Sequence, residues 1–362
     1  MRKGLALLIA LILTALSAAA CGSAEEPDTQ PVVVETDVPE PPVTMPPAEG
    51  PKEQDGPDEP AEPAEPLKDD YSLPFEGMRP MAVMIDNEGT RVLPQGGLDK
   101  AQIVYEVIVE GGLTRLMPVF WGTEPEMIGP VRSARHYFLD FSMEYDAIYV
   151  HYGGSPQAGE EIKKFKQHEI DGMYLGPDVF WDLTNDRRNW QDSYTSMEKL
   201  KKHAEKKKFH NMAEVKFPFT YNEACKDVVP GGDNASVVTL KYPSMTSKYE
   251  YDSTSGMYKR FRYGKEHMER VTGKQLTAKN IIVLYVQNWD IKGDYAGRQD
   301  MKTTGSGNGF LISCGKAVKI KWSKESRSAQ TKYTYENGDP LVLNRGQTWI
   351  QIMPLNAKVT ME

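Results

Sequence analysis

Three arginines stand near glycine-rich turns: Arg115, just after Gly111-Gly112, and Arg132 and Arg135 in Ile128-Gly129-Pro130-Val131-Arg132-Ser133-Ala134-Arg135. Planar guanidinium forks match the oxygens of phosphate or carboxylate in pairs, so Arg115, Arg132, Ser133 and Arg135 form a candidate anion-binding set. Asp86, Glu106 and Glu110 are the candidate acidic partners. The competing reading is that these carboxylates, or Asp140, simply neutralise the arginines and order the turns, since ion-pair networks are common without function. Other chemistry is less well supported. His151 precedes Gly153-Gly154-Ser155-Pro156, but no Gly-x-Ser-x-Gly elbow surrounds Ser155, so a strand-end histidine bonded to a neighbour is expected. No His-Glu-x-x-His, Cys-x-x-Cys or P-loop occurs. Zinc hydrolysis, thiol redox and nucleotide chemistry lose their main support, and no cofactor or metal is expected.

The elements that must position these groups are short. Pro80 to Ile85 is an apolar run ending in Asp86-Asn87 and predicts a buried strand with polar groups at its edge. Leu113 to Trp121 is strand-like, Ala101 to Glu110 fits helix or strand, Tyr137 to Tyr145 reads as amphipathic, and Asp146 to Tyr152 ends at a glycine turn. Alternating elements with polar residues at strand ends suggest an α/β layer, where open sheets usually place their sites. The lysine run 199–208 predicts the solvated face of a helix, with contact to anionic wall polymers or lipid head groups as the alternative.

Pro230-Gly231-Gly232-Asp233-Asn234 marks a natural boundary. Beyond it, short alternating runs predict an antiparallel sheet. Its aromatics, Tyr249, Tyr251, Tyr258, Tyr263, Trp322, Tyr333, Tyr335 and Trp349, are expected mainly as cross-strand packing pairs, with a sugar-stacking or peptide-binding face as the alternative. Gly305-Ser306-Gly307-Asn308-Gly309 reads as a flexible loop, and Asp290 and Asp294 as partners of Arg298 across a turn. The fold class that emerges is α+β: a layered sandwich with a mixed α/β N-terminal half, 77–215, and an antiparallel β-rich C-terminal half, 236–356.

Charge and composition address the compartment. The chain has 362 residues and a formal charge of -8. Residues 22–70 hold 15 acids against 2 bases, so the part from residue 71 onward is nearly neutral, which argues against an electrostatic nucleic-acid binder. That acidic stretch also holds 12 prolines and almost nothing apolar. It cannot offset its ordering entropy with a core, and predicts an extended tether. Residues 1–21 comprise Arg2-Lys3, an apolar run from Gly4 to Leu16, then small residues up to Cys21, as in a signal peptide.

Ser17-Ala18-Ala19-Ala20-Cys21 resembles the lipobox of bacterial lipoproteins, with Ala18 where Leu is commonest. The resemblance implies cleavage before Cys21, acylation there by chains such as palmitate, and a lipid-anchored, extracytoplasmic protein. Cys225 and Cys314 then remain, to pair with each other or stay free. Met84-Ile85-Asp86-Asn87, Tyr105-Glu106, Glu110-Gly111-Gly112, Thr114-Arg115, the Ile128–Arg135 string and His151 to Pro156 resemble the YerB-like lipoproteins of Gram-positive bacteria. That family implies a two-part domain of unknown function over roughly residues 77 to 355, an α plus β sandwich, and no assigned activity. One departure is Gln191-Asp192, which stands where the family pattern has His-Asn, so a catalytic role for that histidine would not transfer. The expected function is a binding or scaffold module of the cell envelope, recognising a protein partner or an anionic wall component. The alternative rests on a resemblance to LytR-type enzymes, which move wall polymers from lipid pyrophosphate carriers. It implies that Arg115, Arg132 and Arg135 clamp a pyrophosphate while Asp86 or Glu110 holds a divalent metal or acts as base.

Overall fold

The structure is a computed structural model that describes residues 71–74, 77–186, 189, 191–214 and 216–362. Cys21, the signal segment 1–21 and the tether 22–70 lie outside the described residues, as do Arg187, Arg188 and Trp190. Among the described residues, no helix is long and apolar enough to cross a membrane.

In chain order the first half forms β1 (Met81–Val83), β2 (Ile85–Asp86), β3 (Ile103–Ile108), β4 (Thr114–Phe120), α1 (His136–Met143), β5 (Ile148–His151), α2 (Pro156–Phe165), β6 (Glu169–Asp171) and α3 (Met197–Lys206). The ambiguous 101–110 run resolves as strand because Ile103, Val104, Tyr105, Val107 and Ile108 are all buried, on both faces of a central strand. The β3–β4 turn needs both its glycines. Gly111 and Gly112 have positive φ, and a Cβ on Gly112 would come within 2.7 Å of Pro243. Ser155 caps α2 by accepting from the Ala158 N–H, with Pro156 at its first position. Ser196 caps α3 in the same way. Lysines 201, 202, 206, 207 and 208 on α3 and just beyond it carry the solvated face, while Met197, Leu200 and Ala204 face inward. Unlike the amphipathic expectation, α1 is buried on all sides except at His136. Its outer side is covered by the chain at 324–330, where Lys324 Nζ reaches the Asp140 carbonyl and the Glu144 carboxylate, and Arg327 pairs with Asp140.

The two halves share one sheet. Twelve strands are joined, running Asp233–Asn234, Lys316–Lys324, Gly305–Ser313, Asn280–Val286, Thr348–Pro354, then β3, β4, β1, β5 and β6, with β2 on β4 and Lys332–Tyr335 on Lys316–Lys324. The junction is the parallel pairing of Thr348–Pro354 with β3, which sets Gln351 opposite Glu106. The antiparallel expectation for the second half therefore needs correction at Thr348–Pro354, which runs parallel to Asn280–Val286 as well as to β3. Six further strands, among them Val237–Tyr242, Met245–Asp252 and Met257–Arg262, make a second, antiparallel sheet. This sheet packs against the first through Tyr249 on Trp349 and through the Tyr242 hydroxyl, which donates to the Glu106 carbonyl. The 305–309 segment is strand, not flexible loop. Its glycines are what let neighbours close in, since a Cβ on Gly309 would lie 2.1 Å from the Val283 carbonyl oxygen.

Between the sheets sits a charged group without access to water. Glu106 on β3 accepts from Arg260 Nη2 at 2.9 Å, with Arg262 Nη1 at 4.0 Å, and all three side chains are 0% exposed. Thr114, Asn87 and Ser247 donate to the same carboxylate. The Arg260 guanidinium lies 4.2 Å from the Trp349 ring centroid. Removing one member of such a group leaves the others buried and uncompensated. Glu106→Ala should cost about 3–5 kcal/mol of unfolding free energy, read as a fall in the urea midpoint. A loss under about 1 kcal/mol, in the range of exposed pairs, would show that the network is not a structural requirement.

Candidate functional site

Main-chain pairing brings the sequence-predicted arginines together. Asp86 at the end of β2 stands opposite Arg115 at the start of β4. The 130–132 segment runs beside β2, with the Asp86 N–H donating to the Pro130 carbonyl and the Arg132 N–H to the Met84 carbonyl. Ala134 N–H then donates to Gly153, which docks this loop on the end of β5.

The resulting cluster is tightly paired. Arg132 Nε lies 3.0 Å from Asp86 Oδ2. Arg135 Nε bonds Glu110 Oε1, and Arg115 Nη2 approaches Glu110 Oε2 at 3.7 Å. Ser133 ties the set together, its carbonyl accepting from Arg115 Nη1 at 2.6 Å and its hydroxyl from Arg132 Nη1 at 3.2 Å. Three guanidiniums thus touch two carboxylates. Burial, then the neighbouring Arg135 charge, pushes Arg115 down to about 10. Burial also lowers Arg132, with Asp86 opposing it. Glu110 is raised by burial, but Arg135 and Arg115 outweigh that and hold it below the usual carboxylate range.

Neither acid is left idle. Asp86 Oδ1 accepts from the Glu88 N–H and Oδ2 from Gln191 Nε2 as well as Arg132. Gln191 therefore does structural work, and Asp192 accepts from the Thr184 N–H and hydroxyl.

Glu106 does not belong to this cluster. The expectation that it would partner the N-terminal arginines is corrected: it faces the second sheet and takes Arg260 and Arg262, two residues that sequence reasoning passed over. The available signal was alternation. In Met257–Arg262 the buried positions are Tyr258, Arg260 and Arg262, so two arginines occupy the apolar phase of a strand. Burial raises Glu106, but Arg260 and Arg262 together bring its carboxyl below the ordinary value. The interior group and the surface cluster meet at Asp86-Asn87. Arg262 Nη2 donates to the Asn87 carbonyl at 3.1 Å, and Asn87 Nδ2 donates to Glu106 and Thr114.

The remaining sequence candidates are dispersed. His151 bonds Glu169 through Nε2 at 2.9 Å and the Gly153 carbonyl through Nδ1, while the Ser155 hydroxyl caps α2, so they do not form a nucleophile and base. Cys225 and Cys314 are not joined in a disulfide. Arg298 pairs with Asp294 at 2.8 Å, whereas Asp290 accepts from Gln299. Of the C-terminal aromatics, Tyr249, Tyr258, Trp322, Tyr333 and Trp349 are buried in packing and Tyr263 is exposed. Among the described residues, no three His, Cys, Asp or Glu side chains gather as a metal site.

Comparison with known proteins agrees with this layout. Residues 71–210 match the N-terminal domain, and 238–350 the C-terminal domain, of a family described as protein of unknown function DUF3048. The chain is 33% identical over 282 residues, 76% of its length and 81% of the relative's, to "Putative lipoprotein YerB" of Bacillus subtilis (strain 168). The crystal structure of YerB protein from Bacillus subtilis superposes with a TM-score of 0.68 at 30% identity, over 78% of this chain and 94% of that one. The chain belongs to this family of two-part α+β proteins.

The interior network carries a titratable reporter in His267. Arg260 Nε donates to its Nδ1 at 3.0 Å, so the proton sits on Nε2 and is donated to Gln95 Oε1. Burial, then the charges of Arg260 and Arg262, holds His267 well below 6.5. Below pH 6.5 the unfolded chain gains a proton there that the folded chain refuses, so stability falls with acidification by up to about 1.4 kcal/mol per pH unit. His267→Gln should flatten the dependence of unfolding free energy between about pH 6.5 and 5. An unchanged slope would mean that His267 titrates normally.

Proposed function

We propose that the protein is a lipoprotein anchored through Cys21 on the extracytoplasmic face of the cell membrane. There it serves as a binding module that takes an anionic component of the envelope on Arg115, Arg132 and Arg135. The observation that carries the reading is the charge imbalance in the cluster: among the described residues the carboxylates that ion-pair with its three guanidiniums are Asp86 and Glu110, and the group is partly withdrawn from water. A phosphate or carboxylate that approaches them gains charge-assisted bonds in a medium where these are strong, and relieves repulsion among the cations. The name of the Bacillus subtilis relative, the small-residue approach to Cys21 and the acidic proline-rich stretch after it support the anchored placement.

Binding is favoured over transfer chemistry. All four carboxylate oxygens of Asp86 and Glu110 are engaged by arginines, Gln191 or a backbone N–H, which leaves neither poised as a base or a metal ligand. The test uses full-length chain in detergent micelles titrated with poly(glycerol phosphate). Arg132→Lys keeps a cation beside Asp86 while removing the fork, and should weaken binding about tenfold, roughly 1.4 kcal/mol. Affinity of the wild type should also fall between 50 and 300 mM salt. Absence of binding by the wild type, or equal affinity in Arg132→Lys, would overturn the assignment of the polymer to this cluster.

A further inference from the structure

We infer that the C-terminal half carries a second, separate binding site, for an oligosaccharide, in a cleft of about 450 Å3 at the ends of Asn280–Val286, Gly305–Ser313 and Lys316–Lys324. The volume lies within the range of small-ligand sites.

The chemistry of the wall points to a sugar. Two aromatic rings, Tyr285 and Trp322, line it together with Gln287, Lys302, Thr304, Ser306 and Asn308. None of these five polar side chains has a hydrogen bond or ion pair with the described protein. Two amides, two hydroxyls and one ammonium therefore border one concavity with their donors and acceptors available. Trp322 is only 5% exposed, and its indole N–H lies covered by Gly307, without an acceptor among the described residues, and is not itself presented to the cleft. Its position depends on Gly307: a Cβ there would stand 2.6 Å from Nε1, so any other residue would displace the ring. This gives the glycine-rich strand a role beyond close packing.

Among ligand classes, a glycan satisfies this surface best. An apolar ligand would strip water from five polar groups and leave them unpaired, at about 1–3 kcal/mol each. A multiply charged anion would find a single cation, Lys302. A pyranose offers a C–H face for the rings and a circle of hydroxyls for the amides and Ser/Thr, which is what amphipathic aromatics beside neutral donors accommodate. The hairpin Asn288–Asp290 and Gln299–Met301 connects Gln287 to Lys302 and carries Trp289 at 43% exposure and a fully exposed Tyr295.

The site shares no residue with the arginine cluster, so either can fail alone. The test is calorimetric titration of full-length chain in micelles with two probes, the tetrasaccharide of β-1,4-linked N-acetylglucosamine and cellotetraose, up to several millimolar. Wild type should bind at least one, and the preferred probe reports whether the acetamido group is read. Gln287→Ala with Asn308→Ala, both exposed positions, should weaken binding at least tenfold without shifting Tm, whereas Arg132→Lys should leave it unchanged. Loss of binding together with a lowered Tm would be resolved by Lys302→Met, which leaves the strands untouched and should also weaken binding. Failure of both probes to bind wild type, or retention of wild-type affinity in the double variant and in Lys302→Met, would overturn the inference.

Discussion

A carboxylate and two guanidiniums, all three shut away from water, stand between the sheets of this protein, and the rest of the architecture is arranged around them. Taking Glu106, Arg260 and Arg262 out of water costs several kcal/mol per ion, which is recovered only if the sheets dock in a register that delivers Arg260 Nη2 to Glu106 within 2.9 Å. That same register seats Pro243 against Gly112, sends Arg262 to the Asn87 carbonyl and sets Tyr249 edge-on to Trp349. A slip by one residue would turn Arg260 outward and leave Glu106 alone in the core, so the charged group selects against alternative dockings more than it adds net stability.

The surface cluster follows from this interior constraint. Asp86 and Asn87 are adjacent, and one faces outward to Arg132 while the other turns inward to Glu106. Fixing Asn87 from both sheets fixes the end of β2, and with it the 130–135 loop that hydrogen-bonds along it. Arg115 and Arg135 are set by the Gly111-Gly112 turn, which presents Glu110 to both. Cations held this way lose little further entropy on meeting an anion, the arrangement that pre-organised recognition requires.

Much of the surface cluster was legible in the sequence, and the interior was not. Arg115, Arg132 and Arg135 were readable because they flank glycine turns, where strand ends converge in layered folds. Asp86 and Glu110 were readable as their partners, but Glu106 was misassigned because its neighbours are 154 and 156 residues away along the chain, and no local pattern states which sheet a strand will face. Arg260 and Arg262 left a trace in the alternation of Met257–Arg262, overridden by the prior that arginine sits outside. The glycine run at 305–309 reads as a loop because glycine weakens strands in general. Here it marks close approach to Trp322 and to the Val283 carbonyl, which only the neighbouring strands reveal. The parallel junction of Thr348–Pro354 with β3 joins opposite ends of the chain, beyond what short-range periodicity can express.

The docking of the two sheets depends on Glu106 and Arg260 acting as one unit. A double-mutant cycle with Glu106→Gln and Arg260→Met, read by urea unfolding of the full chain, measures this directly. Strong coupling is predicted: the double variant should be more stable than the sum of the single losses implies, by about 2 kcal/mol or more. Single losses that add to within about 0.5 kcal/mol would contradict it, and would mean that the two charges share a space without holding the sheets in register.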